Sequence, residues 1–162
     1  SPRGERRAAS VPYRFSYRRF EPVAEWSVKF FAASDTADAR KGIGTAPILV
    51  RSLRRLDLQW YRPLIKELPL ERWSLEATTA VTLGAGEYTL RSISDDGIRV
   101  WVDGVLVIDR WTHHESTVDT TPISAGPHQV KVEFFQDDGW TELRLDFLKA
   151  LASPHSTAGP ER

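Results

Sequence analysis

The chain has 162 residues, of which 41% are hydrophobic and 10% aromatic, and its 22 Lys and Arg residues balance 22 Asp and Glu residues. This length fits one domain, the zero net charge argues against a dedicated nucleic-acid binder, and no apolar run approaches the ~20 residues of a membrane helix. The absence of Cys excludes disulfides, cysteine-ligated zinc, iron–sulfur clusters and a thiol nucleophile.

Both ends of the chain differ in composition from the part between them. Residues 1–20 carry six Arg against one Glu, which predicts a basic flexible arm or linker; a nucleic-acid or membrane-surface contact is the alternative. Residues 151–162 are rich in Ser, Pro and Ala and are predicted to form a disordered tail. The first residues lack the apolar core of a signal peptide, so we expect any export signal outside this sequence. The single domain is predicted over residues 21–150.

Between these ends the hydrophobic pattern has a period of two, which is typical of half-buried strands. Each such stretch stops at residues that favour turns, and the clearest stretches are 74–83, 98–102, 130–134 and 143–147. Asp103-Gly104 lies between Val102 and Val105 and predicts a two-residue hairpin, because a type I′ turn needs positive φ at both positions. About nine strands at this spacing predict an all-β fold, an antiparallel β-sandwich or barrel with long connecting loops.

The connections fall mainly within residues 33–72. Residues 33–44 are small and polar and predict a loop, whereas the pattern of residues 51–60 fits a helix or a strand equally well. Pro63 and Pro69 then interrupt any regular element. Long excursions between sandwich strands often carry function, although they can also be partly disordered.

The first chemical feature is an acidic turn at the end of a predicted strand, where Asp95 and Asp96 are followed by Gly97. Two converging carboxylates suit a hard cation such as calcium. Neighbouring side chains of an extended strand point to opposite faces, so a shared ion requires a special backbone, such as a cis peptide bond between the two Asp residues. The alternative is a metal-free turn that Asp95 caps and that Asp96 and Gly97 shape.

A second acidic turn, Gln136-Asp137-Asp138-Gly139-Trp140, follows another predicted strand. The strands before the two turns are predicted to run toward the same end of the fold. The turns would then supply four carboxylates and the amide of Gln136 to one ion, and calcium takes six to eight oxygen ligands when water is included.

Two Trp residues lie where they could contact a ligand: Trp140 is next to the second acidic turn and Trp111 follows a strand end. An exposed Trp can pack on the apolar face of a sugar ring, although Trp residues also fill sandwich cores. We interpret His113-His114-Glu115 as a solvated loop rather than a zinc site. Adjacent His residues of a strand point apart, and the HExxH spacing of zinc enzymes is missing. The sequence shows no catalytic triad motif, phosphate loop or acid marked by burial, so we do not expect an enzyme.

Five segments occur in an order that is more specific than any one of them: 86–90 (GEYTL), 94–104 (SDDGIRVWVDG), 107–111 (VIDRW), 123–128 (ISAGPH) and 132–135 (VEFF). Together they resemble the PA14 domain, the protective-antigen-type β-sandwich, over about residues 73–148 and more loosely over 26–72. The resemblance implies a β-sandwich that serves as an accessory module of extracytoplasmic toxins, glycosidases, adhesins and glycosyltransferases.

The resemblance also implies a site. In sugar-binding members, two consecutive Asp residues joined by a cis peptide hold calcium, which in turn holds sugar hydroxyls, and Asp95 and Asp96 match that pair. A further ligand is typically an Asn from the loop that corresponds to residues 136–139; this sequence contains no Asn, so Asp137 or Asp138 would replace it.

The expected function is therefore a non-catalytic, calcium-dependent carbohydrate-binding module. Its expected partners are a glycan or polysaccharide and the neighbouring domains of a larger extracytoplasmic or membrane-bound protein, with no nucleic acid and no membrane insertion of this chain itself. The alternative is a structural or protein-interaction domain without metal or sugar.

Overall fold

The computed structural model describes residues 17–33 and 38–151. These residues form eleven β-strands and one short 3-10 helix, Ala39–Gly42, and none of their helices is long and apolar enough to cross a membrane. The strands are β1 (Tyr17–Phe20), β2 (Trp26–Ala32), β3 (Leu49–Leu53), β4 (Asp57–Trp60), β5 (Trp73–Leu83), β6 (Tyr88–Asp95), β7 (Ile98–Val102), β8 (Val105–Arg110), β9 (Thr117–Ile123), β10 (Gly126–Gln136) and β11 (Thr141–Ala150).

The strands form two antiparallel sheets that face each other. One sheet has the order β1-β11-β6-β9, with β4 also paired to β11, and the other has the order β3-β2-β5-β10-β7-β8. Their inner faces share one hydrophobic core, which includes Leu75 and Phe134 from one sheet and Leu90 and Leu143 from the other. The predicted antiparallel β-sandwich is therefore confirmed.

The period of two in the sequence corresponds to burial in the structure. Along β5, the hydrophobic residues Leu75, Ala77, Val81 and Leu83 are buried. From Ala77 to Leu83, buried and exposed residues alternate. Burial of each Val or Leu side chain stabilises the fold by roughly 1.5–3 kcal/mol. Trp73 at the start of the strand is fully buried and its ring lies 5.6 Å from that of Phe134, so this strand anchors the core.

The structure adds detail where the sequence was ambiguous. Residues 51–60 are strand rather than helix, with β3 and β4 separated by a short bend in which Leu56 is buried. The sandwich also begins earlier than predicted, because Tyr17–Phe20 pairs with β11 and Phe20 packs against Tyr88 at 5.6 Å. The rest of the predicted arm, residues 1–16, and residues 152–162 of the predicted tail lie outside the described residues.

The predicted hairpin at Asp103-Gly104 is present. Both residues have positive φ, 51° and 81°, as a type I′ turn requires. The Asp103 carboxylate accepts a hydrogen bond from the Gln129 backbone N–H at 2.8 Å and contacts His128 Nδ1 at 2.6 Å. His128 Nε2 lies 2.7 Å from the carbonyl oxygen of Ser124, so the hairpin is tied to β10.

Candidate functional site

The two acidic turns meet at one end of the sandwich. β6 ends at Asp95 and β10 ends at Gln136, and the Asp137 backbone N–H donates a hydrogen bond of 2.8 Å to Asp96 Oδ2. The peptide bond between Asp95 and Asp96 is cis. The structure thus brings together the two turns that the sequence singled out.

Asp96 is the buried centre of this cluster, with 1% of its surface exposed. His113 Nδ1 lies 2.9 Å from Asp96 Oδ1 and 3.0 Å from Asp137 Oδ2. Each of the three side chains offers a ligand atom, and these atoms lie within 4.8 Å of one another. One imidazole nitrogen therefore faces two carboxylate oxygens, where a positive charge is favoured.

Both carboxyl groups of the first turn have a raised pKa. Burial, followed by the negative charge of Asp96, raises the pKa of Asp95 to about 6. Burial also raises the pKa of Asp96, against the opposing effects of the Asp137 backbone N–H and of His113. The charge of Asp96 in turn raises the pKa of His113. A cation bound here would stabilise the ionised carboxylates.

An open cleft of about 820 Å³ lies above Asp95 and Asp96, and we call it the acidic cleft. Among the described residues that line it there is no Lys or Arg. Its lining consists of four acids, two imidazoles, two aromatic rings and two small residues: Asp95, Asp96, Glu115, Asp138, His113, His114, Tyr61, Trp140, Ser116 and Gly139. This composition suits a cation together with a polar ligand.

One wall of the acidic cleft is aromatic. The rings of Tyr61 and Trp140 lie 4.8 Å apart, and Tyr61 is 70% exposed. Trp140 Nε1 donates a hydrogen bond of 3.4 Å to Glu142 Oε1, which helps to fix the indole. Such a pair presents apolar ring surface beside carboxylates, an arrangement that fits a sugar.

Two predicted ligand-binding residues, Gly97 and Trp111, lie outside the lining of the acidic cleft. Gly97 packs directly on Phe135: a Cβ added at Gly97 would lie 2.1 Å from the ring. Trp111 contacts the same ring edge-on at 5.0 Å and lies under the Arg99 guanidinium at 4.1 Å. Both residues pack on Phe135, and their direct contact with a ligand stays a prediction.

Gln136 is fully buried beneath the second turn. Its Nε2 donates hydrogen bonds to the carbonyl oxygens of Asp138 at 2.8 Å and Trp140 at 3.1 Å. Its Oε1 has no hydrogen-bond partner among the described residues. The amide therefore holds the loop that presents Asp137 and Asp138, and its role as a ligand remains a prediction.

The sequence interpretation missed His113 and Tyr61. His113 is exposed, with 65% of its side chain accessible, as expected for a solvated loop, but its Nδ1 belongs to the acidic cluster. The hairpin register does not show this from the sequence, because the pairing of Ile98 with Arg110 depends on a register shift between Val100 and Trp101. Tyr61 follows the inward-facing Trp60, so strand alternation places it on the outside.

Comparisons with known proteins agree with this architecture. A family model described as the PA14 domain matches residues 54–157. Over 52 residues, 30% of this chain, the sequence is 42% identical to the anti-sigma-I factor RsgI3 of Acetivibrio thermocellus, and this segment spans 8% of that protein. The matched segment is therefore a small part of that longer protein.

Two solved structures show the same fold. An anti-sigma factor domain-containing protein superposes with a TM-score of 0.65 and 21% identity, covering 85% of this chain and half of the other. A PA14 sugar-binding domain from an RTX adhesin superposes with a TM-score of 0.58 and 18% identity, covering 77% of this chain and 89% of the other.

Proposed function

Because this chain belongs to the PA14 domain family, we propose that it is a carbohydrate-binding module without catalytic activity. The observation that carries the proposal is the acidic cleft, in which the Asp95-Asp96 pair faces the ring surface of Tyr61 and Trp140. The fold shared with a sugar-binding domain of an adhesin supports the same class of ligand. We place the module in a larger extracytoplasmic or membrane-bound protein, next to other domains.

The donor set of the acidic cleft fits calcium. Asp95, Asp96 and Asp138 line the cleft and Asp137 adjoins it, and carboxylate oxygens are the ligands that calcium prefers. The position of His113 between two carboxylates supports a local preference for positive charge. These four Asp residues would hold the ion, which when bound supplies a positive centre for vicinal sugar hydroxyls.

The chain's own residues would orient the sugar. The Tyr61 and Trp140 rings would pack on the apolar face of a pyranose, while Asp138 and Glu115 at the rim would accept hydrogen bonds from hydroxyl groups. The cleft is broad and open, so it would bind one or two residues of a longer glycan rather than enclose a small molecule.

A glycan array probed in calcium and again in chelator tests the proposal, followed by calorimetry on the strongest binder. The Asp95→Asn/Asp96→Asn variant keeps the side-chain shapes and should lose binding while its circular dichroism is unchanged. Trp140→Ala should weaken binding by about tenfold, the cost of one aromatic contact of ~1.4 kcal/mol.

Trp101 offers a matched control, because it contacts Arg99 and Lys131 and does not line the acidic cleft. Trp101→Ala should therefore leave glycan affinity unchanged. Glycan binding that is unchanged in chelator and in the Asp95→Asn/Asp96→Asn variant would refute the proposed calcium dependence. Equal losses for Trp101→Ala and Trp140→Ala would show that the sugar binds elsewhere.

The second candidate is a protein-interaction domain without metal or sugar. β8 is an edge strand of its sheet and exposes Val105 by 63% and Leu106 by 42%, and an edge strand offers unpaired backbone groups to a partner. Two of the similar proteins are named for an anti-sigma role, which is defined by a protein partner. Hydrogen exchange that is slowed along β8 in the full-length parent, relative to the isolated chain, would favour this candidate.

A further inference from the structure

We propose that Asp96, His113 and Asp137 bind Zn²⁺, or another ion that accepts imidazole nitrogen, and that this ion competes with calcium for Asp96 and Asp137. The zinc site stands on the geometry of the three residues alone. The competition rests on the proposed calcium-dependent function, because it requires that Asp96 also serve calcium.

The three donor atoms are already near the positions that zinc requires. Zinc binds imidazole nitrogen at about 2.0–2.1 Å and carboxylate oxygen at about 2.0–2.2 Å, so two tetrahedral ligands lie about 3.3 Å apart. His113 Nδ1 lies 2.9 Å and 3.0 Å from the oxygens of Asp96 and Asp137. Inserting the ion therefore needs His113 to move outward by a few tenths of an ångström, and the oxygens of Asp96 and Asp137, which lie within 4.8 Å of each other, to take up the tetrahedral spacing.

The side chains can make that movement without disturbing the core. His113 is 65% exposed, so its imidazole can shift into solvent. Asp96 is fixed instead, because its second oxygen accepts the backbone N–H of Asp137 at 2.8 Å. A hydrogen bond of this kind orients a metal ligand from outside the coordination shell.

The position of His113 also leaves room for a water ligand. His113 borders the acidic cleft on one side and, on the other, a shallow depression lined by Glu71, Arg72, Asp137 and Asp138. A tetrahedral ion held by three side chains would keep its fourth position open to these spaces.

Nitrogen coordination separates this site from a calcium site. Calcium takes oxygen ligands, whereas imidazole suits zinc and related transition metals. The same Asp96 carboxylate cannot be directed fully to both ions. Zinc should therefore lower the affinity of the chain for calcium, and loss of His113 should remove zinc without removing calcium.

Calorimetric titration of the full chain with zinc alone, in buffer stripped of other metals, tests the site. We expect one zinc per chain. His113→Ala should weaken zinc binding at least about 10–100-fold, since even the loss of an outer-shell partner has that effect, and should not weaken calcium binding, because calcium takes oxygen ligands. The fold is checked by circular dichroism.

His114→Ala is the matched control. His114 Nδ1 already contacts the Glu115 carbonyl oxygen at 2.6 Å, and His114 is not part of the three-residue cluster. Zinc affinity should stay unchanged in this variant. An equal loss in both His variants, or unchanged zinc affinity in His113→Ala, would overturn the site, as would the absence of zinc binding at micromolar concentrations.

A second titration tests the competition with metals alone. Calcium affinity measured in saturating zinc should fall in the wild-type chain and should not fall in His113→Ala. Undiminished calcium binding in the zinc-loaded chain would overturn the sharing of Asp96. Zinc binding by a chain that binds neither calcium nor glycan would support the zinc site and refute the proposed function, so the two failures are distinguishable.

Discussion

Gly97→Ala should destabilise the fold because the added methyl group has no space. Its Cβ would lie 2.1 Å from Phe135 Cε1 and 2.9 Å from two further ring atoms, whereas carbon atoms in contact are ~3.5–4.0 Å apart. Phe135 is buried and packed against Trp111, so the ring cannot simply rotate away. Overpacking of this kind costs ~1–3 kcal/mol, and the overlap of about 1.5 Å places the expected cost at about 3 kcal/mol.

Thermal unfolding measures this cost: for a chain of this size, about 3 kcal/mol lowers Tm by roughly 6–12 °C. Gly84→Ala is a matched control, because a Cβ at Gly84 meets nothing within 4 Å, and it should change stability by no more than about 0.5 kcal/mol. In a Phe135→Leu background the cost of Gly97→Ala should fall by about 1–2 kcal/mol, since the two residues are in contact. A cost that is independent of the ring would refute this explanation.

Three further predictions concern His128, Asp95 and Gln136. Burial lowers the pKa of His128, but the hydrogen bonds to Asp103 and to a backbone carbonyl outweigh it and raise the pKa. The stability from these bonds is therefore complete below the unfolded pKa of ~6.5 and is lost as pH rises through the higher folded value. Urea unfolding between about pH 5.5 and 8.5 should show a larger loss in the wild type than in His128→Gln, in which Asp95 and His113 still titrate. Burial and the neighbouring carboxylate raise the pKa of Asp95 to about 6, so the proposed calcium would have to compete with a proton. Calorimetry should then give weaker calcium binding at about pH 5 than at about pH 7.5; equal affinities would contradict this. Gln136→Leu removes the amide that holds the second acidic turn and should cost about 1–3 kcal/mol in chemical denaturation, whereas a neutral effect would show that the loop holds its shape without it.

The fold could be predicted from the sequence because its signals are local. Alternation of apolar and polar residues marks each long strand, and Asp103-Gly104 marks a hairpin with the φ values that this turn needs. The secondary structure of residues 51–60 was ambiguous because local signals do not decide it. Leu53, Leu56 and Leu58 fit a helical stripe as well as a bent strand, and only the pairing of β3 with β2 and of β4 with β11 decides between them.

The candidate site could be predicted only in part, because it depends on contacts between distant segments. Asp95, Asp96 and the second acidic turn stand out by composition. The role of Gln136 beneath the loop and the contact of His113 with Asp96 depend on side-chain direction, which adjacent residues in a loop do not reveal. Tyr61 directly follows the ambiguous residues 51–60, so strand alternation assigns its exposed face only once β4 is known.

The buried acids of the sandwich differ in one respect that bears on function. Glu133 is neutralised by Arg99 at 2.9 Å, and Asp146 by Arg91 at 2.8 Å. Asp96 is also buried. Its ion-pair partner among the described residues is the exposed imidazole of His113 rather than an Arg or Lys.

A buried carboxylate without a permanent counter-charge lowers stability, because burial penalises the ionised form. Where this fold needs an acid for structure, it pairs the acid with a guanidinium, as at Glu133 and Asp146. Asp96 has instead a titratable partner and an open cleft above it. This difference supports the proposal that Asp96 holds an ion that arrives from solvent, and stability should then rise when that ion binds, by an amount set by the ion's concentration relative to its Kd.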